Sequence, residues 1–234
     1  MKLFFTLAFC AMATLVHASD VAKDVVGKVI KVEGSVKVAQ IGSIKKSTLK
    51  VDQNIHKDEL ISTATSSLVV IKLNDASDLV VDEKSSLSFH SEQEMEQTEG
   101  KVYYKITSRQ AANALKVKTP FSIIGIKGTE FIVDTDKEDA SIKLKEGLLG
   151  IESIKEEFEL YRKKVQADYE KFVSSQTDAF EEYKNAQVKG FAQKTKAFDL
   201  HKQNTLSFDG NTVSEKAWSA EDDAEFSRFE NMIR

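Results

Sequence analysis

The chain has 234 residues, of which 41% are hydrophobic and 30% are charged, and its formal net charge is −4. This composition is typical of a globular protein with one or two domains and a sizeable core. A mildly acidic chain is a poor general binder of the phosphate backbone, so we expect no nucleic-acid partner.

The N-terminus has the pattern of an export signal. Lys2 precedes an uncharged apolar run over residues 3–16, and the residues before Ala18 suit cleavage after it by signal peptidase. The run is shorter than the about 20 residues that a spanning helix needs. We therefore expect residues 1–18 to be a signal peptide, residues 19–24 a short N-terminal segment, and the mature chain to be periplasmic without an integral membrane span.

Residues 25–152 have the pattern of a β domain. Runs of β-branched and apolar residues recur at short intervals, as in KVIKVEGSVKV and SSLVVIKLNDASDLVV. Turn-forming residues separate the runs, at Glu33-Gly34 and between Asn74 and Ser77. Short strands at this spacing predict an all-β sandwich, barrel or solenoid.

The composition changes after Glu152, where valine and glycine become scarce and Glu, Lys, Gln and aromatic residues become frequent. An alignment on eleven residues gives repeats whose first and fourth positions are aromatic. These residues are Phe158, Tyr161, Tyr169, Phe172, Phe180, Tyr183 and Phe191. Eleven residues span three helical turns, so the stripe would stay on one face of a helix. The repeat therefore predicts a long helix with an aromatic face over residues 153–205.

The rest of the chain predicts a loop over residues 206–218 and a helix over residues 219–234, in which Ser219 and Asp222 have the spacing of a helix cap. Three interpretations of the aromatic face stay open. It packs on the protein's own sheet or final helix, it forms a coiled-coil or helix-in-groove interface with another copy or another envelope protein, or it binds a membrane surface. The segment lacks the one-sided basic face that membrane binding prefers.

The segment Gly125-Ile126-Lys127-Gly128 invites a nucleotide-binding interpretation, because a KH domain clamps nucleotides with a Gly-x-x-Gly loop. That loop joins two helices, whereas β-branched runs flank this one. Lys127 precedes Gly128, so the spacing does not fit the phosphate-binding P-loop either. We interpret the two glycines as positions that permit a bulge or a tight bend between strands.

Residues with catalytic or metal-binding chemistry lack the required spacing. An EF-hand loop that began at Asp134 would need glycine and glutamate where Asp139 and Lys145 stand. The histidines of the mature chain are scattered, and no nucleophile motif occurs. We therefore expect no cofactor, no metal site and no enzymatic activity.

The stretch VKTPFSIIGIKGTEFIVDT, followed by ASIKLKEGLLGI, resembles the signature of the FecR domain, and the resemblance extends over about Val25 to Glu152. The matching residues are Thr119, Pro120, Gly125, Gly128, Thr129, Phe131 and Gly147. The resemblance implies a periplasmic relay between an outer-membrane transporter and a cytoplasmic sigma factor. That task needs a cytoplasmic segment and a membrane span before the domain. The residues before this domain have the pattern of an export signal instead, so we expect a stand-alone exported relative.

The predicted fold is mainly β, a FecR-like antiparallel sandwich or solenoid, followed by a long helical region with 11-residue periodicity. We expect a non-enzymatic protein–protein interaction or scaffolding module of the bacterial cell envelope. It would bind an envelope protein or a second copy through the aromatic helix. One alternative is a periplasmic component of a transporter-coupled signalling system of the iron-uptake type, and another is a ligand-binding or cell-wall-binding module.

Overall fold

The computed structural model describes residues 24–107, 114–136, 140–162 and 193–234, which form two β-sheets packed face to face and one helix. The elements in chain order are β1 (Val25–Glu33), β2 (Val36–Gln40), β3 (Ser47–Thr48), β4 (Asn54–His56), β5 (Glu59–Thr63), β6 (Leu68–Leu73), β7 (Asp78–Val81), β8 (Ser86–Ser91), β9 (Glu94–Glu99), β10 (Lys101–Lys105), β11 (Leu115–Lys118), β12 (Ser122–Ile126), β13 (Glu130–Asp134), β14 (Ser141–Glu146), β15 (Leu148–Ser153), β16 (Phe158–Tyr161), β17 (Gln193–Thr195), β18 (Ala197–His201), β19 (Asn204–Asp209), β20 (Thr212–Ala217) and α1 (Ala220–Ile233).

The larger sheet, sheet A, has 11 strands in the order β17-β16-β20-β19-β14-β13-β10-β7-β6-β1-β4. Sheet B has 9 strands in the order β18-β15-β12-β11-β9-β8-β5-β2-β3. The β9–β11 and β16–β20 pairs are parallel, and the other neighbouring strands are antiparallel. The result is a mostly β sandwich.

The core between the sheets follows from the two-residue period of the strands. In β12, Ser122, Ile124 and Ile126 are buried while Ile123 and Gly125 face outward. Because alternate side chains of a strand point to opposite faces, each such strand contributes an apolar row to one continuous core.

The chain crosses between the sheets at tight corners, several of which place a glycine in the left-handed region. Gly34 joins β1 to β2 with φ 71°, Gly100 joins β9 to β10 with φ 78°, and Gly147 joins β14 to β15 with φ 94°. Residues with a Cβ are strained at such angles, which explains glycine at these positions.

Each of these glycines lies against a corner where the chain crosses between the sheets again, and that corner contains a hydroxyl residue. The backbone N–H of Ser35 donates to Ser67 Oγ at 2.8 Å, and that of Lys101 donates to Ser85 Oγ at 2.9 Å. A Cβ at Gly147 would lie 2.6 Å from the carbonyl oxygen of Gly128. The corners therefore pack in pairs, and each corner of a pair connects a strand of sheet A to a strand of sheet B.

The predicted fold class is wrong in its C-terminal region, because the described parts of residues 153–205 are strands and not a long helix. Phe158 is buried in the core at 1% exposure and its ring contacts those of Phe198 and Phe208. Tyr161 ends the same strand, β16. The alternation of buried and half-buried residues along β16 satisfies a two-residue period, and burial between the sheets outweighs the helical pattern. A coiled coil is therefore not supported.

The other predicted interface residues lie outside the described residues: Tyr169, Phe172, Phe180, Tyr183 and Phe191. The predicted loop over residues 206–218 is also corrected, because it contains most of the β19–β20 hairpin. Gly210 forms the turn of this hairpin with φ 58°.

Helix α1 packs on the outer face of sheet A. Ser219 is its N-cap, and the side chains of Ser219 and Asp222 form a capping box. Phe226 and Phe229 are fully buried against an apolar patch that β6, β7, β10 and β13 present on this face. The helix therefore covers the middle of sheet A.

Candidate interaction surface

The Thr-Pro element of the FecR-like motif forms the tight turn between β11 and β12. Thr119 Oγ1 accepts a hydrogen bond from the backbone N–H of Ser122 at 2.9 Å and donates to the Ser122 carbonyl at 3.0 Å. Pro120 lies within this turn. A buried hydroxyl that satisfies the turn backbone has a structural role.

The Gly-Thr-x-Phe element forms the corner between β12 and β13. Gly128 has φ 77°, and Thr129 exchanges backbone hydrogen bonds with Ile106 at 2.9 and 3.1 Å. Phe131 is fully buried and stacks on Tyr104, with ring centroids 4.7 Å apart. These residues build the corner, so they are part of the scaffold.

Gly125 does not share this explanation, and the interpretation that it bends the chain is wrong. It lies within β12, directly opposite Gly150 of β15, and neither glycine has a left-handed φ. A Cβ at Gly125 would have as its nearest neighbour the Gly150 carbonyl at 3.8 Å, and one at Gly150 would meet Asp199 Oδ1 at 3.9 Å. Both are ordinary contacts, so neither backbone strain nor packing requires glycine here.

The two glycines form the floor of a groove of about 400 Å³ on the outer face of sheet B. A row of directly paired residues crosses four strands there: Lys116, Gly125, Gly150 and Asp199. Ile123 lies beside this row, and Leu148, which is 43% exposed, lies on its other side. We call this feature the glycine slot.

The ends of the glycine slot have opposite charges. Lys116 is exposed at one end, and Asp199 is exposed at the other, next to Glu152. Among the described residues, the structure shows no side-chain ion pair for Lys116 or Asp199. The two charges are therefore available to a molecule that lies in the slot.

Helix α1 is held on the middle of the outer face of sheet A by ion pairs that surround its apolar contact. Glu225 binds both Lys101 and Lys143, Asp222 binds Lys143 at 2.7 Å, and Arg228 binds Asp82. Burial opposes ionisation of Glu225, but hydrogen bonds from the two lysines outweigh it and hold the pKa of this carboxyl below its usual value.

A second ionic group fixes the C-terminal end of α1. Lys145 lies between Glu230 of the helix and the buried Glu130 of β13, 3.3 Å from Glu130 Oε1. Burial and the neighbouring Glu230 carboxyl raise the pKa of Glu130, whereas the hydrogen bond from Lys145 lowers the pKa of Glu230. Glu130 and Glu230 share one lysine, whereas Glu225 binds two. The ion pairs therefore support the C-terminal end of α1 less than its middle.

The described ranges contain no group of three His, Cys, Asp or Glu side chains placed to hold a metal ion. They also contain no helix that is long and apolar enough to cross a membrane. His56 and His90 each lie beside one glutamate, Glu59 and Glu96 respectively. The predicted signal peptide lies outside the described residues.

The family comparison matches residues 59–149 to the family model described as "FecR protein". Residues 59–149 are therefore similar to this family, and we call them the FecR segment. This confirms the resemblance predicted from the sequence, and the matched range contains all seven motif residues named above. The glycine slot combines Lys116 and Gly125 from the FecR segment with Gly150 and Asp199 from beyond it. No curated protein matches the chain.

Among solved structures, the chain is similar to two crystal structures of a proposed anti-sigma factor from Parabacteroides distasonis ATCC 8503, at 11% identity and TM-scores of 0.48 and 0.47. Each comparison covers 72% of this chain, and the chain spans 64% and 63% of those two chains. A third similar structure, a "Cell surface anchoring domain", is 30% identical over 27% of this chain and 82% of its own, with a TM-score of 0.26.

The glycine slot is the feature that sequence reasoning missed. Gly125 was identified only as a motif residue, and Gly150, Lys116 and Asp199 were not identified. The signal that could have found them is glycine inside two strand patterns without a turn residue beside it, because such glycines often mark a close approach by another molecule.

Proposed function

We propose that this protein is a non-enzymatic protein-docking module of the periplasm, in which the FecR segment is the scaffold and the outer face of sheet B is the docking surface. The observation that carries the proposal is the contrast between the two outer faces. Helix α1 covers the middle of sheet A, while no helix or strand of the described ranges packs on the outer face of sheet B. A face that the described elements leave uncovered, with partly exposed Ile123 and Leu148, is suited to a protein partner.

The use of the motif residues supports a binding role over a catalytic one. Thr119, Gly128, Thr129 and Phe131 are engaged in turns, corners and ring stacking, so they build the frame that holds the strands of the surface. A function on such a fold must reside in the surface it presents. The export signal supports a periplasmic location, which we propose together with cleavage after Ala18.

The test is site-specific photo-crosslinking in living cells that export the full chain. A benzoylphenylalanine placed at Ile123 on sheet B is compared with one at Glu221, which is exposed on α1. We expect one discrete protein adduct from position 123 and none from position 221. Equal adducts from both positions, or none from position 123, would contradict the proposal.

A second function is favoured by the FecR match itself. In that function the chain is the periplasmic component of a transporter-coupled signalling system, with a separate protein that crosses the inner membrane. It predicts that the adduct from position 123 contains the signalling domain of an outer-membrane transporter or an inner-membrane regulator. Mass spectrometry of the adduct distinguishes these partners from a scaffolding partner.

A further inference from the structure

We infer that the glycine slot is a specific site for an extended peptide segment of a protein partner, with a carboxylate at one end, a cation about four residues away and an apolar side chain between them. This inference rests on the proposed docking function and names the chemistry of its partner. It begins from two glycines that the fold does not require.

The first step compares the glycines that the structure describes. Gly34, Gly100, Gly128 and Gly147 have left-handed backbones at corners, and a Cβ at Gly27 would lie 2.7 Å from the Lys72 carbonyl oxygen. Gly42 and Gly210 have left-handed backbones in turns. Gly125 and Gly150 have neither constraint, although glycine in a strand interior weakens the strand. Glycine therefore weakens these two strands without a benefit to the fold. This indicates that the side chains are absent to keep the space above the strands open.

The second step is the shape of the slot. Gly125 and Gly150 face each other across neighbouring strands, so their two missing side chains make one continuous depression on the outer face. Ile123 lines it with apolar atoms, and Leu148 lies two residues from Gly150 along β15, on the same face of the sheet. An aromatic or aliphatic side chain can approach the glycine backbone closely because neither glycine has a Cβ.

The third step is the charge at each end. Lys116 and Asp199 are separated by three strand spacings, which is about 14 Å between their Cα positions at about 4.8 Å per spacing. An extended chain covers that distance in about four residues at about 3.3 Å each. A peptide that lies across the strands can therefore place a carboxylate near Lys116 and a cation near Asp199 at the same time.

Complementary charge also fixes the direction of the peptide. The carboxylate must lie at the β11 end, and the cation must lie at the β18 end, where Glu152 adds a second negative charge beside Asp199. The reverse orientation would place like charges together, which is unfavourable. Another copy of this chain is a poorer occupant, because its most exposed large apolar side chain, Ile44, is followed by Lys45 and Lys46 and has no acidic residue within four positions.

The test uses a random twelve-residue peptide library displayed on phage and selected against the full-length exported protein. We expect enriched peptides to carry Asp or Glu and Lys or Arg about four residues apart, with an apolar residue between them. A synthetic peptide from the selection should bind Gly150→Val at least tenfold more weakly than wild type. Ser62→Val places the same side chain on the same face of sheet B, in β5, and should leave the affinity unchanged.

Charge reversal provides a second, independent readout. The double variant Lys116→Glu/Asp199→Lys should lose the selected peptide and gain a peptide of the same sequence with its acidic and basic residues exchanged. Both side chains are exposed, so this variant tests the slot even if Gly150→Val were to fold poorly. Failure to enrich any such pattern, equal binding by Gly150→Val, or no exchange of preference would overturn the inference.

The crosslinking experiment separates this inference from the docking function. If Gly150→Val folds and keeps the adduct at position 123, the glycine slot is not the site, but the outer face of sheet B still binds a partner. If wild type gives no adduct, the docking function itself fails.

Discussion

Replacement of Phe229 by alanine should release α1 from sheet A, because this side chain is one of the two that anchor the helix. Phe229 is fully buried and its ring stacks on Tyr103, with centroids 5.4 Å apart. Replacement of a buried phenylalanine by alanine costs about 3–5 kcal/mol in a protein core. The question is whether the whole protein or only the helix bears that loss.

The structure indicates that this loss weakens the docking of the helix on sheet A and leaves the sheets largely unaffected. Burial of Phe226 and Phe229 stabilises the contact by about 1.5–3 kcal/mol each. The surrounding ion pairs are partly exposed, and such pairs add up to about 1 kcal/mol each. These gains are offset by the cost of ordering the 14 residues of α1, so a loss of about 3 kcal/mol approaches the whole docking free energy.

The assay uses Trp218, the one tryptophan of the chain, whose ring lies 5.2 Å from that of Phe226. Urea unfolding is followed by Trp218 fluorescence and by far-UV circular dichroism, to which the strands of both sheets contribute as well as α1. In Phe229→Ala the fluorescence transition should move to near zero urea, because the loss approaches the whole docking free energy of the helix. The dichroism transition should move much less.

The matched control is Met232→Ala on the same helix, because Met232 is only partly buried against the same patch. It should shift the fluorescence midpoint by less than half as much as Phe229→Ala. A shift in Phe229→Ala that corresponds to less than about 1 kcal/mol, or an equal shift in the two variants, would refute the assignment of Phe229 as an anchor.

Two further predictions concern the ion pairs that hold α1 on sheet A and the glycine corners between the sheets. The lowered pKa of Glu225 means that its contribution to stability is complete above the ordinary carboxyl value of 4.5 and disappears as pH falls through the lowered folded value, so Glu225→Gln should flatten the acid limb of a pH–stability profile. Profiles of equal slope would contradict this linkage. Gly100→Ala should cost more than about 2 kcal/mol, because φ is 78° and the new Cβ would lie 2.5 Å from the Lys84 carbonyl oxygen. Gly42→Ala has a similar φ of 80° but no atom within 4 Å, so thermal unfolding should show a loss of only about 1 kcal/mol there.

Local patterns in the sequence predicted those features that local physics determines. The turn between β6 and β7 lies at the Asn74–Ser77 cluster, where Asp75 accepts a hydrogen bond from the Ser77 N–H at 3.0 Å. Ser219 and Asp222 have the spacing of a capping box and form one. Both motifs close within a few residues, so the chain needs no distant partner to specify them.

The pattern at Phe158 and Tyr161 misled the prediction because aromatic residues three apart suit a helix, whereas their burial depends on distant strands. Phe158 is buried against Phe198 and Phe208, which are far along the chain. The sequence could indicate the two strand glycines but not the row that they form with Lys116 and Asp199, for a similar reason. Its row exists only once β11, β12, β15 and β18 are aligned in register, and one residue of slippage would turn these side chains to the other face.

The paired corners also bear on the order in which the protein folds. Corners that pack together are close along the chain, as with Gly34 and Ser67 or Ser85 and Gly100, and the strands of both sheets follow a broadly sequential order. Such layered stacks form by addition of neighbouring units. If the chain is exported N-terminus first, as proposed above, β1–β10 assemble before the later strands arrive. Helix α1 joins Arg228 to Asp82 across 146 residues, so it would be the last element to dock and would fasten the finished stack.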